Sequence, residues 1–372
     1  MAIDFLIVGQ GVAGSLLARS LLARGVTVRI TDADRVNSAS QVAPGIVNPL
    51  AGQRLKPAWC VDDALPHAVA TYQAIEAETG NTGRFWHPTP IVRVILDDAQ
   101  RAIFDKRFHE DSARPYIGEV LAPGALGPDI HDAHGSFVAR CSGWLDAAAL
   151  TRHLRQRFAE AGQFVPSTGH EPHADAVGAP LPIGGEAVGR VIFCDGWRGA
   201  NGPWFGSLPW RPARGEMLDV TTERPFLPEP YRGCILNRSK WLLPLGDNRY
   251  RAGASYAWDD FEGGPTDEKR EEILDGLRAL VRASFKVSNH RVGVRPVIAG
   301  HRPVAGLHPL YPRLGIFNGL GSKGVLHAPW LADRLADHLL NGTDLPSDAD
   351  VGRRKFSKSP RAGKSATSAP AT

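Results

Sequence analysis

Apolar residues recur along this chain in two rhythms, and the points where one gives way to the other mark its elements. Asp4-Phe-Leu-Ile-Val8 is a short apolar run. From Ala13 to Arg24 the apolar residues Leu16, Leu17, Leu21 and Leu22 take helical spacing, and Val26-Thr-Val-Arg-Ile30 is a second run that ends at Asp32. Residues 4–32 therefore predict strand, helix, strand. Helical spacing returns from Asp62 to Thr79 through Leu65, Val69, Tyr72 and Ile75, with Gly80 as its stop. Ile91 to Leu96 predicts a strand and Asp97 to Glu110 a polar helix. A further helix runs through Leu150, Leu154 and Phe158 with Asp146 placed to cap it. Val191-Ile-Phe-Cys194 predicts a buried strand that runs into Asp195 and Gly196.

Beyond Trp204 the rhythm shortens. The segments starting at Met217, Lys240 and Tyr250 alternate as antiparallel strands do, which predicts a second domain. Thr266 to Phe285 predicts one long helix with Ile273, Leu274, Leu277, Leu280 and Val281 on its buried face. Leu314-Gly-Ile-Phe317 then leads into GLGSKG (Gly319 to Gly324) and a helix through Leu326, Leu331, Leu335 and Leu339. The chain thus predicts a strand, glycine turn and helix near each end.

The first of these turns carries specific chemistry. In GQGVAG, Gly9 permits the turn, Gly11 lets a pyrophosphate approach the first helical N–H groups, and Gly14 lets the helix pack on the strand. Asp32, at the end of the second strand, is placed to accept hydrogen bonds from an adenosine ribose. This turn alone does not separate NAD from FAD, while a second glycine turn near the C-terminus favours a flavin.

Charge and composition narrow the partners. The 372 residues are 43% hydrophobic and carry a net charge of +4. Arg353, Arg354, Lys355, Lys358, Arg361 and Lys364 lie in a tail without acids, and removing those six charges leaves the rest of the chain at −2. Net charge therefore gives no support for nucleic-acid binding by the folded part. The tail predicts disorder from its Ser, Pro, Ala, Gly and Lys content. Cys60, Cys141, Cys194 and Cys234 are scattered, with no paired spacing and no secretory signal, so the expectation is a cytoplasmic protein without disulfides. His131 and His134 lie three apart with no third ligand nearby, and no metal is expected. No apolar run reaches the roughly 18 residues that a membrane span needs.

Taken together, the two glycine turns, the antiparallel insertion between them and the strand ending at Cys194-Asp-Gly196 resemble the FAD-dependent amine oxidoreductases. That family includes D-amino-acid oxidase, glycine oxidase, monomeric sarcosine oxidase and the flavin domain of the bacterial tRNA wobble-uridine modifying enzyme. The resemblance covers nearly all of residues 1–342. It implies an α/β Rossmann-like FAD-binding domain with a second, mainly antiparallel β substrate domain. The FAD domain is expected in three segments, 1–84, 141–205 and 291–345, the substrate domain in two, 85–140 and 206–290, and a disordered basic tail over 346–372.

The resemblance also implies site residues. Non-covalent FAD would meet Gly9, Gly11, Val12, Ala13, Gly14, Asp32 and Ala33 at its ADP half. Ser40, Gln41 and Gly45 lie in the loop Ser38 to Pro49, which is similar to the family's flavin-wrapping segment. Cys194, Asp195 and Gly196 end the central strand, where the family usually has Ala and a small residue, and Gly319, Gly321, Ser322, Lys323 and Gly324 form the turn that faces the ring. GASY (Gly253 to Tyr256) resembles a strand end near the flavin and brings in Tyr256. GVRPVIAGHRPVAG (Gly293 to Gly306) is similar to the family's carboxyl-terminal signature, in which an Arg-Pro binds the substrate carboxylate. Arg295 is that arginine, with Arg302 as its competitor. Lys323 stands where sarcosine oxidase-like sequences have a lysine, positioned to stabilise charge on the reduced ring. The reaction implied is hydride transfer from the carbon beside an amine, with oxygen or another acceptor taking the electrons. An NAD-dependent dehydrogenase and a nucleotide-binding protein without turnover are the alternatives.

Overall fold

The structure, a computed structural model, describes residues 3–33, 37–167, 181–183 and 186–354. The strand Ile3–Val8 is central, and apart from Asp4 every residue in it is buried. Parallel partners flank it, Val28–Asp32 on one side and Glu186–Phe193 on the other. Phe164–Pro166 extends the sheet beyond Val28–Asp32, and Leu314–Asn318 extends it beyond Glu186–Phe193, both in parallel. Val304–Leu307 closes that edge antiparallel. Parallel strands are covered on both faces, which is why these segments read as continuous apolar runs. On one face Leu16, Leu17 and Leu21 of the helix Val12–Ala23 share a core with Leu331, Leu335 and Leu339 of the helix Gly324–Asn341. The first and last helices of the fold therefore lie side by side.

The helix Val61–Thr79 packs on the last helix, where the Tyr72 hydroxyl donates to the Val325 carbonyl at 2.6 Å, and it ends at Gly80 in the left-handed conformation. The helix Ala147–Glu160 begins at Asp146, whose side chain accepts from the Ala149 N–H at 2.8 Å.

The second sheet has eight strands. Its order is Lys286–Arg295, Ala213–Thr221, Arg249–Gly253, Trp241–Pro244, Ile235–Asn237, Ile91–Val94, Ser136–Ala139 and Ile117–Leu121. All its pairings are antiparallel except that of Ile235–Asn237 with Ile91–Val94. Ile273, Leu274 and Leu277 of the helix Asp267–Arg278 join Leu218, Leu242 and Ala252 in a core behind this sheet. Residues from 91–139 and 213–295 thus build one sheet, with the parallel sheet drawn from the segments around them.

Three expectations change. The helix expected over 266–285 stops at Arg278; Leu280 and Val281 are buried after it because Val281 bridges to Ile130, and a strand starts at Lys286. That strand runs on to Arg295, so the boundary expected at residue 291 falls inside an element of the second sheet. Disorder was expected from residue 346, but Ala349 and Val351 are buried and the Ala349 carbonyl accepts from the Ala305 N–H at 2.9 Å. Residues 355–372, and with them most of the expected tail, lie outside the described residues. Among the described residues no helix is long and apolar enough to cross a membrane.

Candidate active site

The glycine turn is tight enough to exclude side chains at two positions. Gly9 has φ +101°, and a Cβ on it would lie 2.4 Å from the Cys194 carbonyl oxygen. A Cβ on Gly14 would lie 1.9 Å from the Gly9 carbonyl oxygen, so the helix is seated directly on the turn. Gly11 differs, because a Cβ there would meet only the Ser40 hydroxyl, at 2.8 Å. That hydroxyl accepts from the Val12 N–H at 3.0 Å, and the first turn of the helix holds no acid. A helix start of this kind suits an anion. Asp32 accepts from the Gln10 N–H at 2.5 Å and pairs with Arg155 at 3.2 Å. Arg155 also donates to the Gln10 side chain at 2.6 Å, which fixes the carboxylate at the strand end.

From this turn a cavity of about 800 Å³ runs between the two sheets. Gly9, Gly11, Val12, Ala13, Asp32 and Ala33 line its near end, and Ser40 and Gly45 its side. Cys194, Asp195 and Gly196 line it beside Gly9, and Gly321, Ser322, Lys323 and Gly324 face it with Tyr256 and Arg295 at the far end, toward the second sheet. Three expected residues do not line it. Gly14 lies beneath the turn, the Gln41 amide donates to the Thr151 hydroxyl at 3.2 Å, and Gly319, with φ +72°, packs against Ile298.

Cys194 and Asp195 stand where two strand ends meet. The Cys194 N–H donates to the Val8 carbonyl at 2.7 Å, and burial pushes its thiol well above the usual range. The Asn318 amide donates to Asp195 at 2.8 Å and to the Gly196 carbonyl at 2.9 Å, tying the last parallel strand to this corner. Asn318 was not singled out in the sequence; its signal is an amide ending an otherwise apolar strand.

The far end is cationic. Lys323 donates to the Asn48 carbonyl at 3.0 Å, and burial, with the Arg93 charge second, lowers its pKa to about 8. Its turn is held by the Gly321 N–H, which donates to the Pro296 carbonyl at 3.0 Å. Arg295 ends its strand with the guanidinium 4.2 Å from the centre of the Tyr256 ring, and Nη1 donates to the Arg214 carbonyl at 3.4 Å. Among the described residues no carboxylate pairs with it, and burial lowers its pKa. Gly215 makes room for it, since a Cβ there would lie 2.3 Å from the guanidinium nitrogens. Arg302 is elsewhere: it pairs with Asp348 at 3.5 Å and does not line the cavity.

Arg93 lines the cavity and was missed. It is 5% exposed, Nη2 donates to the Gly52 carbonyl at 2.6 Å, Nε has no partner, and burial lowers its pKa to about 10. Its signal was a charge inside the apolar run Ile-Val-Arg-Val. His134 pairs with Asp98 at 3.0 Å, and among the described residues no group of three metal-ligating side chains occurs.

A parallel sheet with a glycine turn at its centre meets a mainly antiparallel sheet across one cavity, an arrangement that suits a dinucleotide cofactor. The chain belongs to the FAD dependent oxidoreductase family, DAO, whose model matches residues 4–338. It is 27% identical over 373 residues to the tRNA 5-methylaminomethyl-2-thiouridine biosynthesis bifunctional protein MnmC of Marinobacter nauticus, covering 90% of this chain and 55% of that protein. It is 29% identical over 368 residues to the putative thiamine biosynthesis oxidoreductase ThiO of Rhizobium etli, covering 92% and 98%. The chain thus spans little more than half the length of its MnmC relatives. Among solved structures, glycine oxidase from Geobacillus kaustophilus superposes with a TM-score of 0.74 at 19% identity, covering 95% of this chain and 99% of that one. Iminodiacetate oxidase from a Chelativorans species gives 0.73 at 20% identity, covering 93% and 99%. The family is one of FAD-dependent oxidoreductases.

The residues present fit FAD. Gly11, which lines the cavity without a side chain, the helix start without an acid and Asp32 suit the ADP half, and Lys323 lines the same cavity.

Proposed function

We propose that the protein oxidises the C–N bond of an amino acid or an N-substituted glycine to an imine, which water then hydrolyses. FAD, held without a covalent bond, supplies the hydride acceptor at its N5. Gly9, Gly11, Val12, Ala13 and Asp32 would hold its ADP half, and Lys323 would place a positive group beside the ring. The observation that carries the substrate class is Arg295. A half-buried guanidinium without an acid leaves an uncompensated charge, and its planar fork matches both oxygens of a carboxylate. Tyr256 stacks against that guanidinium and orients it. A carboxylate held there fixes the neighbouring α-carbon, and position of this kind supplies much of the rate.

The test begins with the visible spectrum of the purified protein and release of its flavin by acid. The FAD-loaded protein is then mixed without oxygen with amino acids, N-methyl amino acids and their carboxamides. Bleaching by the carboxylates and weak bleaching by the carboxamides is the expected result. A colourless protein that binds NAD, or a yellow one that none of these compounds bleaches, overturns the proposal.

A further inference from the structure

One rung of the second sheet crosses the cavity wall. Arg93 pairs in register with Asn237, Asn237 with Trp241, Trp241 with Gly253 and Gly253 with Met217, so these residues share one face of the sheet. Gly215, on the strand of Met217, shares that face because side chains alternate along a strand. The Arg295 guanidinium rests on it, since a Cβ at Gly215 would lie 2.3 Å from its nitrogens. Arg93, Asn237, Trp241 and Arg295 all line the cavity. The two guanidinium groups thus belong to one wall, with four strand spacings, about 19 Å of sheet, between the strand of Arg93 and that of Gly215. At that spacing they do not clasp one carboxylate. The wall between them is apolar: Gly253 has no side chain, and the Trp241 indole covers it, with Cζ2 2.9 Å from where a Cβ would stand.

Arg93 is 5% exposed and nothing in the wall answers its charge. Nη2 donates to the Gly52 carbonyl at 2.6 Å, Nε is sealed in without a partner, and Nη1 makes no hydrogen bond among the described residues. No described carboxylate pairs with it. The acids that line the cavity are engaged elsewhere, Asp32 with Arg155, Asp195 with Asn318, and Glu262 with Arg198 at 2.8 Å. A desolvated guanidinium costs more here than an apolar strand residue would, and a single carbonyl offsets little of that cost. A buried charge that opens onto a cavity is offset when a ligand of opposite charge enters.

We infer that Arg93 is a second anion site, which takes an acidic group at the far end of the substrate's N-substituent. The inference rests on the amine-oxidising reading above, in which Arg295 holds the glycine carboxylate. With that end fixed, the substituent runs along the rung. Its apolar part crosses Gly253 and the Trp241 indole, and its terminal acid meets the Nη edge of Arg93 with the Asn237 amide beside it. The substrate class narrows to N-substituted glycines whose substituent is long, apolar in the middle and acidic at its end. Short amino acids fill only the Arg295 end.

The experiment measures apparent dissociation constants in anaerobic reduction of the FAD-loaded protein by N-(ω-carboxyalkyl)glycines of increasing chain length, each beside the ω-carboxamide of the same length. Short members are expected to bind as their carboxamides do. Once the tail spans the indole, the acid is expected to bind roughly tenfold more tightly than the carboxamide. Arg93→Gln is expected to remove that preference, and Arg93→Lys, which keeps the charge, to retain most of it. Acid and carboxamide bound equally at every length by the wild type overturns the inference without any variant. A preference that survives in Arg93→Gln also overturns it, as does an Arg93→Gln protein that folds but purifies without FAD, because the cation then serves the cofactor. The two readings fail separately. If N-methylglycine bleaches the flavin and the acidic tail gains nothing, the second site alone falls; if neither N-methylglycine nor any member of the series bleaches it, the amine-oxidising reading falls and the second site with it.

Discussion

The two ends of the cavity are built by opposite means. At the glycine turn, side chains are kept out, the ligand faces backbone N–H groups, and the charge at the site, Asp32, is paired with Arg155. At the far end, side chains supply the charge: Arg93 is buried, Arg295 and Lys323 are half-buried, and among the described residues no acid pairs with any of them. The first end is a mould, complete before anything binds. The second is electrostatically incomplete, and buried cations are tolerated where a ligand supplies the missing charge. On the function proposed above, binding of the cofactor and work on the substrate are separated along one cavity.

This contrast predicts different kinds of damage. The largest effect is expected from Gly14→Val, whose Cβ would press on the Gly9 carbonyl at 1.9 Å. Overpacking against backbone is expected to cost about 3 kcal/mol or more, seen as a lower midpoint of denaturant unfolding, and wild-type stability would show slack in the mould. Gly11→Val comes next. Its Cβ meets only the movable Ser40 hydroxyl, so the chain is expected to fold and purify without FAD, and a fully yellow variant would refute the placement. Lys323→Met acts on the other end: FAD is expected to stay bound, with a lower reduction potential, slower reoxidation and reduction by substrate slowed roughly a hundredfold. Potential and kinetics equal to the wild type would remove Lys323 from the site.

The same contrast explains what was legible in the sequence. The glycine turn is local: Gly9, Gly11, Gly14 and Asp32 sit within one βαβ unit, and their spacing carries their geometry. The partners that complete each end come from far along the chain. Arg155 reaches Asp32, Asn318 reaches Asp195, and Arg93 reaches the Gly52 carbonyl, contacts that no local pattern announces. Arg295 and Arg302 look alike in sequence, each preceding a proline; the fold sets one on the cavity wall and pairs the other with Asp348. Apolar spacing also misplaced the end of the helix at Arg278, because Leu280 and Val281 are buried whether or not the helix continues to them. Polar composition likewise hid the packing of Ala349 and Val351.

The central claim is that an unanswered guanidinium at Arg295 selects a carboxylate-bearing amine. The most direct measurement compares Arg295→Lys with the wild type in anaerobic flavin reduction, using one amino acid that bleaches the flavin and its carboxamide. Lysine keeps the charge and loses the fork, so the apparent dissociation constant of the carboxylate is expected to rise roughly tenfold to a hundredfold, and that of the carboxamide far less. Equal weakening of both, or a plain amine without a carboxylate as the best reductant, would contradict the account.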